Sequence, residues 1–164
     1  MAYPTSVTTF TTKNDGDVIA TSHVNGLQTE VTAIETQLLL GWTAYVPVWT
    51  GASVNPAIGD GTIVGAYHQV GKLVKARIAI NMGSTTTYGS GDYTWTLPVD
   101  ADIDSAGSAH AFDGTTRYTG GLLFPTTSTV RVFISGGSTL WGTSLPHAWG
   151  SGDILVITGA YWTA

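Results

Sequence analysis

The sequence predicts a mainly β protein, an antiparallel β-sandwich or jelly-roll head preceded by one N-terminal α-helix that forms a short coiled coil. Three observations carry that prediction. Between Asp17 and Leu40 the apolar residues Ala20, Val24, Leu27, Val31, Ile34 and Leu38 recur at spacings of 4, 3, 4, 3 and 4, a heptad seam. From Trp42 onward the apolar period falls to two. The period-two segments are joined by Gly-rich turns with no helical pattern between them, which points to a sandwich rather than an α/β sheet.

Residues 1–16 are Thr-rich and too short for a core, so they read as an extended docking arm that orders only against another surface. Residues 17–41 are the oligomerising helix, with Asp17 as N-cap and Gly41 as the C′ residue. Its apolar stripe is narrower than the core face of a globular helix. Asn25 and Gly26 weaken it further, and burying six seam side chains does not offset the entropy of ordering two dozen residues. The helix therefore needs a partner: either copies of itself or the head that follows, where Leu39, Leu40 and Trp42 would widen the apolar face.

Residues 42–164 form the head, long enough for a core of its own. Val74, Ala76, Ile78, Ile80 and Met82 alternate with Lys75, Arg77 and Asn81, giving a strand from Lys72 to Met82 with one core face and one wet face. Val130, Val132 and Ile134 alternate with Arg131 in the same way, while Asp153 to Trp162 reads as a more uniformly apolar, deeply buried strand. Further strands are predicted at Tyr45–Thr50, Thr62–Gln69, Tyr93–Leu97, His110–Phe112 and Tyr118–Phe124, with a hairpin turn at Val70-Gly71. Tyr88-Gly89-Ser90-Gly91-Asp92 and Trp149-Gly150-Ser151-Gly152-Asp153 each lead into a strand, and Gly59-Asp60-Gly61 does the same. With no helix following and no Lys-Ser/Thr pair, these are tight turns rather than phosphate cradles.

Charged residues are 10% of the chain and its net charge is −5, so a monomer would be poorly protected against association and its surface is expected to be covered by copies of itself or a larger assembly. Lys72, Lys75 and Arg77 mark the solvated face of a strand, not the basic stripe that nucleic acid requires. Cysteine is absent, so disulfides and thiolate zinc sites are excluded. The first seventeen residues have neither the basic nor the apolar region of a secretory signal, and no apolar run approaches a membrane span; release from a cell would proceed by a route such as lysis.

No catalytic site is expected. His23, His68, His110 and His147 form no ligand pair, no nucleophile elbow is present, and the head has no glutamate to pair with its aspartates across a cleft. Asp100, Asp102 and Asp104 alternate like the opening of a calcium loop, but Ser105 and Ala111 stand where the loop's Gly and Glu belong. No cofactor is expected; calcium at those three aspartates is a simple test. Trp49, Trp95, Trp141, Trp149, Tyr88 and Tyr118 lie in or beside turn-rich segments, where they fill the core and subunit interface or stack on sugars. Trp141, in a Gly-rich segment with no evident core register, is the first candidate for a contact tip, with Tyr88 and Trp149 as further candidates.

The segment DGDVIATSHVNGLQTEVTAIETQLL resembles an N-terminal motif of bacteriophage virion proteins of the tail-fibre, minor tail and head-decoration type, through Asp17, Ile19, Ala20, His23, Val24, Asn25, Leu27, Gln28, Ile34 and Glu35. The β segment that follows, to about residue 98, is similar to the small domain that often accompanies it. The resemblance implies a non-enzymatic virion protein: a homotrimer docked to capsid or tail proteins through residues 1–16, with a head projecting toward a host-surface glycan or protein. Capsid decoration is the alternative role, and a glycan-cleaving virion enzyme a third. The seam itself is mixed, since Val24, Val31 and Leu27 suit a dimer while Ile34 and Leu38 favour higher order.

Overall fold

The structure, a computed structural model, describes residues 16–18, 20–39, 41–102 and 106–163. Residues 1–15 of the expected arm lie outside that set, as does Asp104. The chain divides into two compact units, Met1–Gly41 and Trp42–Ala164.

In the first unit, α1 spans Thr21–Leu39. It starts later than Asp17 because a different cap closes it: the His23 ring accepts the N–H of Ala20 through Nδ1 at 3.2 Å, while the His23 N–H donates to the Ala20 carbonyl at 2.9 Å. The first bond is one half of a capping box, with histidine at the third position; the second is a backbone turn bond, since Ala20 has no side-chain acceptor. Ala20 is thus a cap residue rather than a seam residue, and the seam within the helix runs from Val24 to Leu38. Thr29 and Thr36 return their hydroxyls to the carbonyls of Asn25 and Thr32, which satisfies two polar side chains inside the helix. Gly41 does not take the left-handed conformation expected of a C′ glycine.

The second unit is mainly β. Its strands are β1 (Thr43–Tyr45), β2 (Trp49–Gly51), β3 (Thr62–Val70), β4 (Leu73–Asn81), β5 (Tyr93–Thr96), β6 (Ala106–Phe112), β7 (Arg117–Thr126), β8 (Thr129–Ile134) and β9 (Ile154–Trp162). They form one antiparallel sheet in the order β1-β3-β4-β9-β6-β7-β8-β5-β2. The expected strand from Tyr45 to Thr50 is two strands at opposite edges of that sheet, separated by Val46-Pro47-Val48. Nine flat strands would put those edges about 38 Å apart, whereas the link from Tyr45 to Trp49 reaches at most about 14 Å. The sheet must curl, and hydrogen bonding runs through it continuously instead of dividing it into two sheets. Both edge strands are only three residues long, which limits edge-to-edge pairing.

Curling puts one face of every long strand into a common core. Val74, Ile78 and Ile80 of β4, Leu155, Ile157 and Tyr161 of β9, and Val130 and Val132 of β8 are all buried there. The alternation expected for β4 is the one observed, and the β3–β4 connection is a two-residue turn, Gly71-Lys72, with Gly71 at φ 58°. β9 differs from expectation. It lies inside the sheet between β4 and β6, but Ile154 and Trp162 are exposed on its outer side, opposite the core residues Leu155 and Tyr161.

Gly89 has φ 56°, and a Cβ there would collide with the Val54 carbonyl. Gly89→Ala is expected to cost about 1 to 3 kcal/mol from backbone conformation alone, with the collision in addition. Chemical denaturation of the variant checks this; an unchanged midpoint would show that the turn relaxes freely.

Candidate functional site

The helical seam is the first candidate. Val24, Leu27, Val31, Ile34 and Leu38, on one stripe of the helix, are between 46% and 65% exposed. Val24, Leu27 and Val31, with Gln28 and Thr32, line an open groove along it. The helix carries Glu30 and Glu35 but no Lys or Arg, so the stripe offers apolar surface and no opposite charges to pair.

The aromatic cluster is the second, and here the structure corrects the sequence reading. Trp141 is fully buried and Trp149 is nearly so, while Tyr88 is half-buried against the core; none is an exposed contact tip. Trp141 acquires a register that its neighbours in sequence do not reveal. Its N–H donates to the Val132 carbonyl at 2.7 Å and its carbonyl accepts from Tyr93 N–H at 2.9 Å, so Leu140–Gly142 fills the gap where β8 and β5 diverge. The Trp149 indole N–H donates to the Gly142 carbonyl at 2.8 Å. Tyr93 packs edge-on against Trp49 and Trp95, donates its hydroxyl to the Tyr88 carbonyl at 2.7 Å, and has its pKa pushed up to about 12, chiefly by burial. These aromatics support the turns from within.

The turn aspartates are similarly occupied. Asp153 is buried, accepting Gly150 N–H at 2.7 Å and meeting His147 Nε2 at 2.9 Å. The His147 ring stacks on Tyr118 at 4.7 Å and lies against Trp149, and its Nδ1 is buried with no hydrogen-bond partner among the described residues. A His–Asp pair is two parts of a nucleophilic triad, but among the described residues neither ring nitrogen is hydrogen-bonded to a hydroxyl.

Asp60 and Asp113 close exposed turns. Asp60 accepts the Thr85 N–H, the Ser84 hydroxyl and the Thr85 hydroxyl, all within 2.8 Å, and the Thr85 backbone donor contributes most to holding its carboxyl well below the usual carboxylate range. Asp113 is lowered in the same direction, first by the Thr116 N–H and then by Thr115, with Tyr118 donating at 3.0 Å. Both folded-state pKa values lie below the unfolded value of 3.8, so the stability they contribute is present above about pH 4 and is lost as pH falls further. Urea midpoints are expected to drop between about pH 6 and pH 2.5, and to drop less in Asp60→Asn/Asp113→Asn. An equal drop in that variant would place the acid sensitivity elsewhere.

The calcium candidate is described at Asp100 and Asp102, with Asp104 outside the described residues. Ala101 is buried and pairs with Thr163, its N–H donates to the Thr127 carbonyl, and Asp102 N–H donates to the Trp162 carbonyl, which holds the backbone of this segment extended. Among the described residues no group of three His, Asp or Glu side chains could hold a metal ion. Nor is any helix among them long and apolar enough to cross a membrane. The other histidines are dispersed: His23 caps α1, while His68 and His110 lie on β3 and β6. Comparison with known proteins yields no match to a family, a curated protein or a solved structure.

The sequence reading passed over one surface feature. Trp42, Leu73 and Trp162 are large, apolar and exposed. The alternation that defines β4 and β9 could have signalled the last two, since each stands on the side opposite a core residue.

Proposed function

We propose that this chain is a non-enzymatic structural protein of a bacteriophage virion, a homotrimer that projects from the particle as a tail-fibre or minor tail component and contacts the host surface. The observation that carries the reading is the exposed heptad seam, which lies inside the segment that resembles phage virion proteins. Low charge across the chain supports burial against other copies. Residues 1–16 would dock to capsid or tail proteins, and no nucleic acid or membrane insertion is required.

Burial of Trp141 and Trp149 favours a second reading, capsid decoration, because it removes the aromatic tips that would have gripped a glycan. Electron microscopy of particles labelled with an antibody to the head separates the two. Label along or at the end of a tail structure supports the first reading, and label on the shell supports the second. Particles that lack the protein would overturn both.

A further inference from the structure

The basic side chains of the head divide into two kinds. Arg117 lies over the Phe112 ring at 4.8 Å, and Arg131 donates to the Thr94 hydroxyl at 3.0 Å. Lys75 and Arg77 are exposed on β4, and their side chains make no hydrogen bond or ion pair among the described residues. Lys72 is a separate case: Thr163 donates to its carbonyl and bridges Ala101, so Lys72 shares its end of the sheet with Asp100.

Lys75 and Arg77 stand two residues apart, about 7 Å along the outward side of one strand. The registers set Lys75 between His68 and Ala160 and Arg77 between Ala66 and Thr158. None of the nine strands carries Asp or Glu, so no carboxylate on the sheet neutralises the pair, although the net charge of the chain is −5. Two unpaired cations on a low-dielectric sheet concentrate positive potential there. Extending the β1–β3 register by one residue puts Trp42 beside His68, while Trp162 pairs with Leu73, diagonal to Lys75. Lys75 thus separates two indoles that are 52% and 59% exposed.

That alternation of ring and cation rejects an apolar partner, which would bury Lys75 without a counter-charge. It suits a ligand that presents apolar ring faces and negative charge together, as a sugar acid does, with CH faces against indole and carboxylates on Lys75 and Arg77. Two cations are too few for duplex nucleic acid, whose affinity rests on many phosphate contacts. A polymer of acidic sugars needs less from each head, because three heads joined in one assembly engage separate repeats and gain avidity.

We propose that the outer face of β4 around Lys75 and Arg77, flanked by Trp42 and Trp162, binds an acidic polysaccharide of the host surface through its carboxylates. This rests on the homotrimeric, host-contacting reading and names the ligand class and the face that takes it.

Binding of the full chain to immobilised polygalacturonate, with dextran as the neutral polymer, tests it. Polygalacturonate is expected to be bound and dextran not, with affinity falling at least ~10-fold between about 0.05 and 0.5 M salt as the charges are screened. Lys75→Glu/Arg77→Glu is expected to weaken binding at least ~10-fold with mass and melting unchanged, since both side chains are exposed and unpartnered, and Lys75→Arg is expected to retain it. A trimer that binds neither polymer, that binds dextran or duplex DNA as tightly as polygalacturonate, or whose binding survives the double charge reversal overturns the inference and leaves the trimer reading intact. A chain that is monomeric without substitution overturns the trimer reading and the inference with it.

Discussion

Val31→Asp is expected to convert the oligomer to monomer at micromolar concentration. Val31 is 51% exposed at the centre of the seam, between Leu27 and Ile34, and in a parallel assembly its counterparts meet at the same level. A carboxylate there would be buried without a partner and next to others of its kind, at a cost of about 3 kcal/mol or more per copy. No base on the last turn is available to relieve it. Thr29→Asp, on the side of the helix away from the seam, is the control and should leave the mass unchanged. Light scattering separates the outcomes, and the melting of the β head should be affected only through the loss of association. Equal behaviour of the two variants would show that the seam is not the contact.

Trp141→Ala is expected to destabilise the head by about 3 to 5 kcal/mol, the range for removing a fully buried large aromatic. The ring is completely shielded and lies near Trp149, and its backbone links β8 to β5. The loss should appear as a lower denaturation midpoint. An exposed contact tip would behave oppositely: stability would be unchanged and only binding would suffer. The experiment therefore decides between the role that burial assigns to Trp141 and the one suggested by its Gly-rich surroundings.

The difference between those two roles shows where the sequence was legible. The β3–β4 hairpin could be read because its signals are local: strict alternation from Val74 to Ile80 and a glycine at the turn. The helix was signalled locally as well, by the apolar spacing from Val24 to Leu38. Trp141 was not, because three residues inserted between diverging strands have no period of their own, and their burial depends on Val132 and Tyr93, which are distant or non-adjacent in sequence. The division of β1 from β2 was hidden for a related reason. Each edge is defined by its partner, Tyr67 for Thr43 and Trp95 for Trp49, and nothing within Tyr45–Thr50 specifies two destinations. At the helix start, the His23 ring replaced the expected Asp17 cap, a competition between two acceptable caps that composition does not decide. The calcium candidate is described only as far as Asp102, where Ala101, between Asp100 and Asp102, is drawn into the sheet as a buried residue.

The central claim, that this chain functions as a self-assembled structural element, is tested most directly by its mass in solution. Size-exclusion chromatography with light scattering on the full chain, over a range of micromolar concentrations, is expected to give three times the chain mass of 17.1 kDa. A mass of 17.1 kDa at every concentration would contradict the account.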